Sequence, residues 1–116
     1  MVASFKHALA GIWVAFREHP NFRVHTVIAV FVVIVSLLFQ ITRMEFIIII
    51  FTINLVFITE MINTSVEEIT NLITIKWAQQ AKLAKDVAAG MTLITAISAV
   101  IVGLIIFIPY ILNLLT

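Results

Sequence analysis

The chain has 116 residues and a mass of 13.0 kDa, yet 63% of it is hydrophobic, its mean hydropathy is +1.21 and only 11% of it is charged. An ordinary globular domain is roughly a quarter charged, and a soluble protein of this size has no interior large enough to hide so much apolar surface. The net charge of +1 offers no footprint for a polyanion, which disfavours nucleic acid as a partner, and the lack of cysteine excludes disulfides, thiolate metal sites and a thiol nucleophile.

The first nineteen residues set Phe5, Ala8, Leu9, Ile12, Trp13 and Phe16 at spacings of three and four, opposite Lys6, His7 and Arg17. That is the pattern of an amphipathic helix, suited either to lie in the headgroup plane or to pack on a neighbouring helix. Pro20 disfavours helical geometry at His19 and separates this helix from the next. The first long apolar run starts near Thr26 and ends without a small-x-small cleavage site, so it is expected to be a span of the mature protein and not a signal peptide.

Residues 24–41, 46–63 and 87–112 are each predicted to cross the bilayer, whose hydrocarbon core takes about twenty helical residues. No Gly or Pro interrupts residues 64–86, which predicts that the second helix continues past its span into water. Along the third span Ala88, Thr92, Thr95, Ala99 and Gly103 form a small-residue face that another helix can approach closely. Lys6, Arg17, Arg23, Lys76, Lys82 and Lys85 flank one side of the spans and Arg43 alone the other. This bias puts the N-terminus and the middle segment in the cytoplasm and the C-terminus outside. The expected architecture is an all-α membrane protein of one domain, a surface helix followed by three transmembrane helices.

Glu60 closes an otherwise apolar span, where a buried carboxylate is costly and marks function. Asn63, Thr64, Glu67 and Asn71 fall within about 60° of it around the helix, so one face carries two carboxylates and two amides. The stripe begins inside the membrane near its cytoplasmic edge and runs out into water. It can therefore meet a lipid headgroup at one end and a soluble molecule at the other. Glu68 points about 80° away and reads as an ordinary solvated charge, and Lys85-Asp86 taken alone reads as an interfacial flank. Gly11, Gly90 and Gly103 cannot build a G-x-x-x-x-G-K-[ST] loop or a G-x-G-x-x-G turn, so any nucleotide site must be made otherwise. His7, His19 and His25 read as polar or interfacial histidines, which leaves zinc hydrolysis little support.

The segment Glu60-Met61-Ile62-Asn63-Thr64-Ser65-Val66-Glu67, then Ala84-Lys85-Asp86-Val87-Ala88-Ala89-Gly90, resembles the prokaryotic diacylglycerol kinase and undecaprenol kinase family. The shape is E-x-x-N-[TS]-x-x-E followed by A-K-D, and Pro20-Asn21-Phe22-Arg23-Val24-His25 is similar to the same family upstream, in the manner of its undecaprenol kinase branch. The resemblance implies a homotrimer in the inner (plasma) membrane that moves the γ-phosphoryl group of MgATP to the hydroxyl of a membrane lipid, at sites between neighbouring subunits. Carried over by position, it implies that Glu60 binds the lipid hydroxyl and takes its proton as general base, while Asn63 positions the reacting groups. Glu67 would hold Mg²⁺ and the nucleotide phosphates, and Lys85 and Asp86 would contact ATP. The chain departs from the pattern at His19, where many relatives have a metal-binding glutamate, with Glu18 one step back. It departs again at Asn71, where an aspartate is common, and at Ala78, where a histidine is common. Of Glu18 and His19, the carboxylate suits Mg²⁺ better.

Two other functions compete. A proton or ion relay also uses an intramembrane carboxylate, but wants it near mid-membrane, whereas Glu60 is near one edge and the outer half of every span lacks charged groups. A holin-like or scaffolding protein would use the stripe only to join helices, which leaves the coincidence of Glu60, Asn63, Glu67, Lys85 and Asp86 unexplained.

Overall fold

The computed structural model of the chain describes residues 1–72 and 78–116. The described residues form four helices: α1 (Val2–Glu18), α2 (Pro20–Leu38), α3 (Arg43–Thr70) and α4 (Ala78–Leu115). The break between α1 and α2 is the extended residue His19, at φ −115° and ψ 106°. Pro20 then serves as the first residue of α2, where its missing N–H would have had no helical partner. The first apolar helix therefore begins at Pro20, ahead of the predicted residue 24. The helix stops at Leu38 because Gln40 takes a left-handed φ of 51°, so residues 39–41 lie outside it. Thr42 caps α3 with a reciprocal pair of bonds. The Glu45 N–H donates to Thr42 Oγ1 at 3.2 Å, and the Thr42 N–H donates to Glu45 Oε1 at 2.9 Å.

α3 runs past Asn63 as far as Thr70, and α4 starts at Ala78, well before Val87. Lys76, which enters the charge bias, lies outside the described residues. The 28 residues of α3 extend for about 42 Å, more than the roughly 30 Å of a hydrocarbon core, so one end must stand clear of it. Glu60 sits about 25 Å along the axis from Arg43.

α3 and α4 form the principal packed pair. They run antiparallel, tied at one end by the Tyr110 hydroxyl donating to the Glu45 carboxylate and at the other by Lys85 Nζ donating to Asn71 Oδ1 at 2.9 Å. α2 returns along α3, with the Phe22 and Phe57 rings 5.1 Å apart at one end and Phe39 stacked on Tyr110 at the other. α1 rests on the start of α2 and buries Ala15. Arg17, Arg23, Lys82 and Lys85 thus gather at one end of the helices, and Arg43 stands at the other.

α2, α3 and α4 are each long and apolar enough to cross a membrane, and at most 17% of the most apolar window in any of them is buried within the chain. Their large side chains face outward, an arrangement stable in lipid or against other helices and not in water. The Tyr110 hydroxyl makes a charge-assisted bond that joins α4 to the start of α3. Tyr110→Phe is expected to lower the unfolding temperature in detergent micelles with catalytic rate unchanged. An unaltered unfolding temperature would show that this tie does not support the hairpin.

Candidate functional site

Glu60 is only 6% exposed although it carries a carboxylate. Beside it on α3 the Thr59 hydroxyl is already committed, donating to the Val56 carbonyl at 3.0 Å. On α4, the register set by the Glu45–Tyr110 and Asn71–Lys85 contacts brings Thr95 and Ala96 level with Glu60. Thr95 donates its own hydroxyl to the Met91 carbonyl. The partner that reaches Glu60 comes from α2: His25 Nε2 is 3.7 Å from Glu60 Oε2, an ion-pair separation somewhat longer than a hydrogen bond.

One turn further along α3, Asn63 Oδ1 is buried and has no hydrogen-bond partner among the described residues. Another turn on, Glu67 is half-buried on the same face, whereas Glu68 is exposed. Asn71 ends the helix with its N–H donating to the Glu67 carbonyl at 3.0 Å, and its side-chain oxygen accepts from Lys85. A continuous polar stripe therefore leads from a buried carboxylate to a lysine over about 16 Å of helix. Asp86 stands apart from it. Its carboxylate accepts from Lys82 Nζ at 2.8 Å in an exposed pair within α4, and this bond, with the charge of Asp86 behind it, holds the Lys82 ammonium above its ordinary range.

Beyond the other end of the stripe, past His25, the surroundings are apolar. An apolar cavity of about 420 Å³ lies between α2, α3 and α4, with His25 at its head and Val32, Ile53, Phe57, Val100 and Phe107 among its walls. Ala96, Ala99 and Gly103 line it too, and a methyl group added at Gly103 would touch nothing within 4 Å. Over this stretch the small-residue face of α4 makes room instead of a close helix contact.

For a metal, the donors are few but of the right kind. Glu60 and Glu67 are separated by about 10 Å along the axis, too far to share one ion, and among the described residues no three His, Cys, Asp or Glu side chains converge. The Glu67 carboxylate and the unpartnered Asn63 oxygen are hard donors one turn apart. They fit Mg²⁺, which is commonly held by one or two carboxylates together with substrate phosphates and not by a closed protein cage. Glu18 is exposed at the end of α1 and His19 is half-buried at the break, and neither joins Glu67 in a cluster of donors.

The family model for prokaryotic diacylglycerol kinase matches residues 6–107, a stretch that holds every residue of the stripe. The chain belongs to the prokaryotic diacylglycerol kinase family. As a member of that family it is a lipid kinase. It is similar to an undecaprenol kinase of Bacillus subtilis, with 41% identity over 106 residues that cover 91% of this chain and 86% of that protein. It is also similar to a diacylglycerol kinase of a Synechocystis species, with 37% identity over 116 residues, 99% of this chain and 66% of that protein. No solved structure matches the chain.

In this member of the prokaryotic diacylglycerol kinase family, Glu60, Asn63 and Glu67 share a face of α3 as their spacing implied, and Lys85 comes to the end of that face. Asp86 is not drawn to it. The pairing of His25 with Glu60 escapes a reading of α3 alone. The available signal was that each is the one charged or titratable side chain in its apolar stretch, and that both lie toward the same end of neighbouring antiparallel helices.

Proposed function

We propose that the protein transfers the γ-phosphoryl group of ATP to the hydroxyl of a membrane lipid, in a Mg²⁺-dependent reaction at the cytoplasmic face of the inner membrane. The observation that carries this reading is the buried Glu60 at the foot of a polar stripe, 3.7 Å from the His25 that borders an apolar cavity. Such a position lets one group touch both a lipid alcohol and a soluble phosphate donor.

In this reading the lipid hydroxyl sits against Glu60, which accepts its proton as the oxygen bonds to the γ-phosphorus and the bond from that phosphorus to the β–γ bridging oxygen breaks. The leaving oxygen departs with ADP. Asn63 offers its free oxygen to the reacting groups, and Glu67 holds Mg²⁺ and the phosphates beside it. Mg²⁺ held there would supply neutralisation of charge on the transferred phosphoryl group, the main task in a reaction governed by positioning and electrostatics. Lys85 meets the phosphates by exchanging its bond to Asn71, and Asp86 meets ATP by releasing Lys82, a contact that the exposure of both groups makes inexpensive. The basic end of the helices lies in the cytoplasm and the C-terminus outside. α1, with Phe5, Leu9, Ile12 and Trp13 exposed, lies along the headgroups. A homotrimer with sites between subunits would add metal and phosphate contacts from a neighbour, where among the described residues no three metal-binding side chains converge, and would cover part of the outward apolar surface.

For the acceptor, undecaprenol is favoured over diacylglycerol. Among the described residues the cavity wall has His25 and Thr52 as its polar members, and the Thr52 hydroxyl is spent on the Ile48 carbonyl at 2.7 Å. Two ester carbonyls would find His25 as their one donor there, while a polyprenol asks only for hydrocarbon. Measured as kcat/KM in the same micelle at equal mole fraction, undecaprenol should exceed dioleoylglycerol by about tenfold or more. A clear preference for the glycerolipid would overturn the choice.

A further inference from the structure

We infer that His25 is the positioning residue for Glu60, holding its carboxylate in the orientation from which it takes the lipid proton; this rests on the general-base reading above. A carboxylate as buried as Glu60 needs a polar partner, and its surroundings narrow the choice to one. Thr59 bonds its own helix, Thr95 bonds α4, and the wall of α4 that lines the cavity is apolar. Among the described residues, His25 is the group within ion-pair distance of Glu60, and Glu60 is the charged side chain within that distance of His25.

The geometry suits the task. His25 follows Phe22 by one turn on α2 and Glu60 follows Phe57 by one turn on α3, and the contact of those two rings holds the helices together beside the polar pair. Helical side chains lean toward the N-terminus of their helix, so from antiparallel neighbours the imidazole and the carboxylate reach past one another's backbones and meet. An Nε2–H donated to Oε2 fixes the carboxylate plane and leaves Oε1 as the oxygen that faces the alcohol. The 3.7 Å separation closes to a hydrogen bond with a small rotation, as catalytic contacts commonly do when substrate is bound. His25 also lines the cavity, so a lipid chain occupying it would shield the pair from water on that side and strengthen the contact.

The test compares His25→Phe, which keeps a ring of similar size without a donor, with His25→Gln, whose amide nitrogen can stand where Nε2 stands. Each is assayed for lipid phosphorylation in mixed micelles after its unfolding temperature has been matched to the wild type. His25→Phe should lower kcat by about tenfold to a hundredfold with KM for ATP and lipid nearly unchanged, and His25→Gln should retain kcat within about fivefold. In a Glu60→Gln background, His25→Phe should add no further loss, because its effect passes through that carboxylate. Should His25→Phe not fold, His25→Ala takes its place, and added imidazole should restore turnover. A His25→Phe enzyme within about twofold of wild type, a His25→Gln enzyme as impaired as His25→Phe, or an alanine variant deaf to imidazole overturns the assignment. Full activity in Glu60→Gln would instead overturn the general-base reading itself, and with it the role of His25.

Discussion

Glu60→Gln is expected to leave the helices packed and ATP bound while turnover falls by about 10² to 10⁴. The amide has nearly the shape of the carboxylate and avoids burying a charge, so a site where Glu60 is 6% exposed should accept it without loss of stability. What it lacks is a lone pair basic enough to take the hydroxyl proton. The nucleotide end of the stripe, at Asn71 and Lys85, is about 16 Å away along α3, so KM for ATP should hardly move. Single-turnover rates beside a thermal melt separate the chemical defect from misfolding. A near wild-type rate in a well-folded variant would remove Glu60 from the proposed mechanism.

The second large effect concerns the metal. Glu67 and Glu68 are adjacent in the chain and chemically identical, yet one is half-buried on the stripe and the other is exposed on another face. Glu67→Gln should raise the Mg²⁺ concentration required for half-maximal activity by about tenfold or more, whereas Glu68→Gln should leave it within about twofold. The proposal predicts that the Glu67→Gln deficit is partly recovered at high Mg²⁺, as expected when an ion's ligand set is weakened and not abolished. Equal shifts in the two variants would mean that Glu67 is a solvated helix charge like its neighbour.

Much of this arrangement could be read from the residues because the bilayer simplifies the problem. Long apolar runs have few stable forms in lipid, and an acid inside one is conspicuous, so the three apolar helices and the Glu60, Asn63 and Glu67 face follow from composition and the helical period. Helix ends were less legible. Hydropathy cannot see that Pro20 is a good first helical residue, that Gln40 turns left-handed, or that Asn71 closes α3. Contacts between helices were the least legible, because periodicity gives the face of one helix and not its register against another. Glu45 with Tyr110, Asn71 with Lys85, and His25 with Glu60 each join residues far apart in sequence, and each needed the fold to bring them together. The pairing of Lys85 with Asn71 also bears on the departure noted at that position. The amide oxygen accepts the lysine proton, but without the charge that an aspartate would bring.

The central claim is that the buried carboxylate at the membrane edge activates a lipid alcohol toward ATP. Its most direct test uses the protein in mixed micelles with γ-labelled ATP, Mg²⁺ and a lipid alcohol as the sole acceptor, and follows label into the organic phase. The wild type should yield a labelled lipid monophosphate, dependent on Mg²⁺ and reduced to near background by Glu60→Gln. Label released only as inorganic phosphate, or transferred to lipid equally well by wild type and Glu60→Gln, would contradict it.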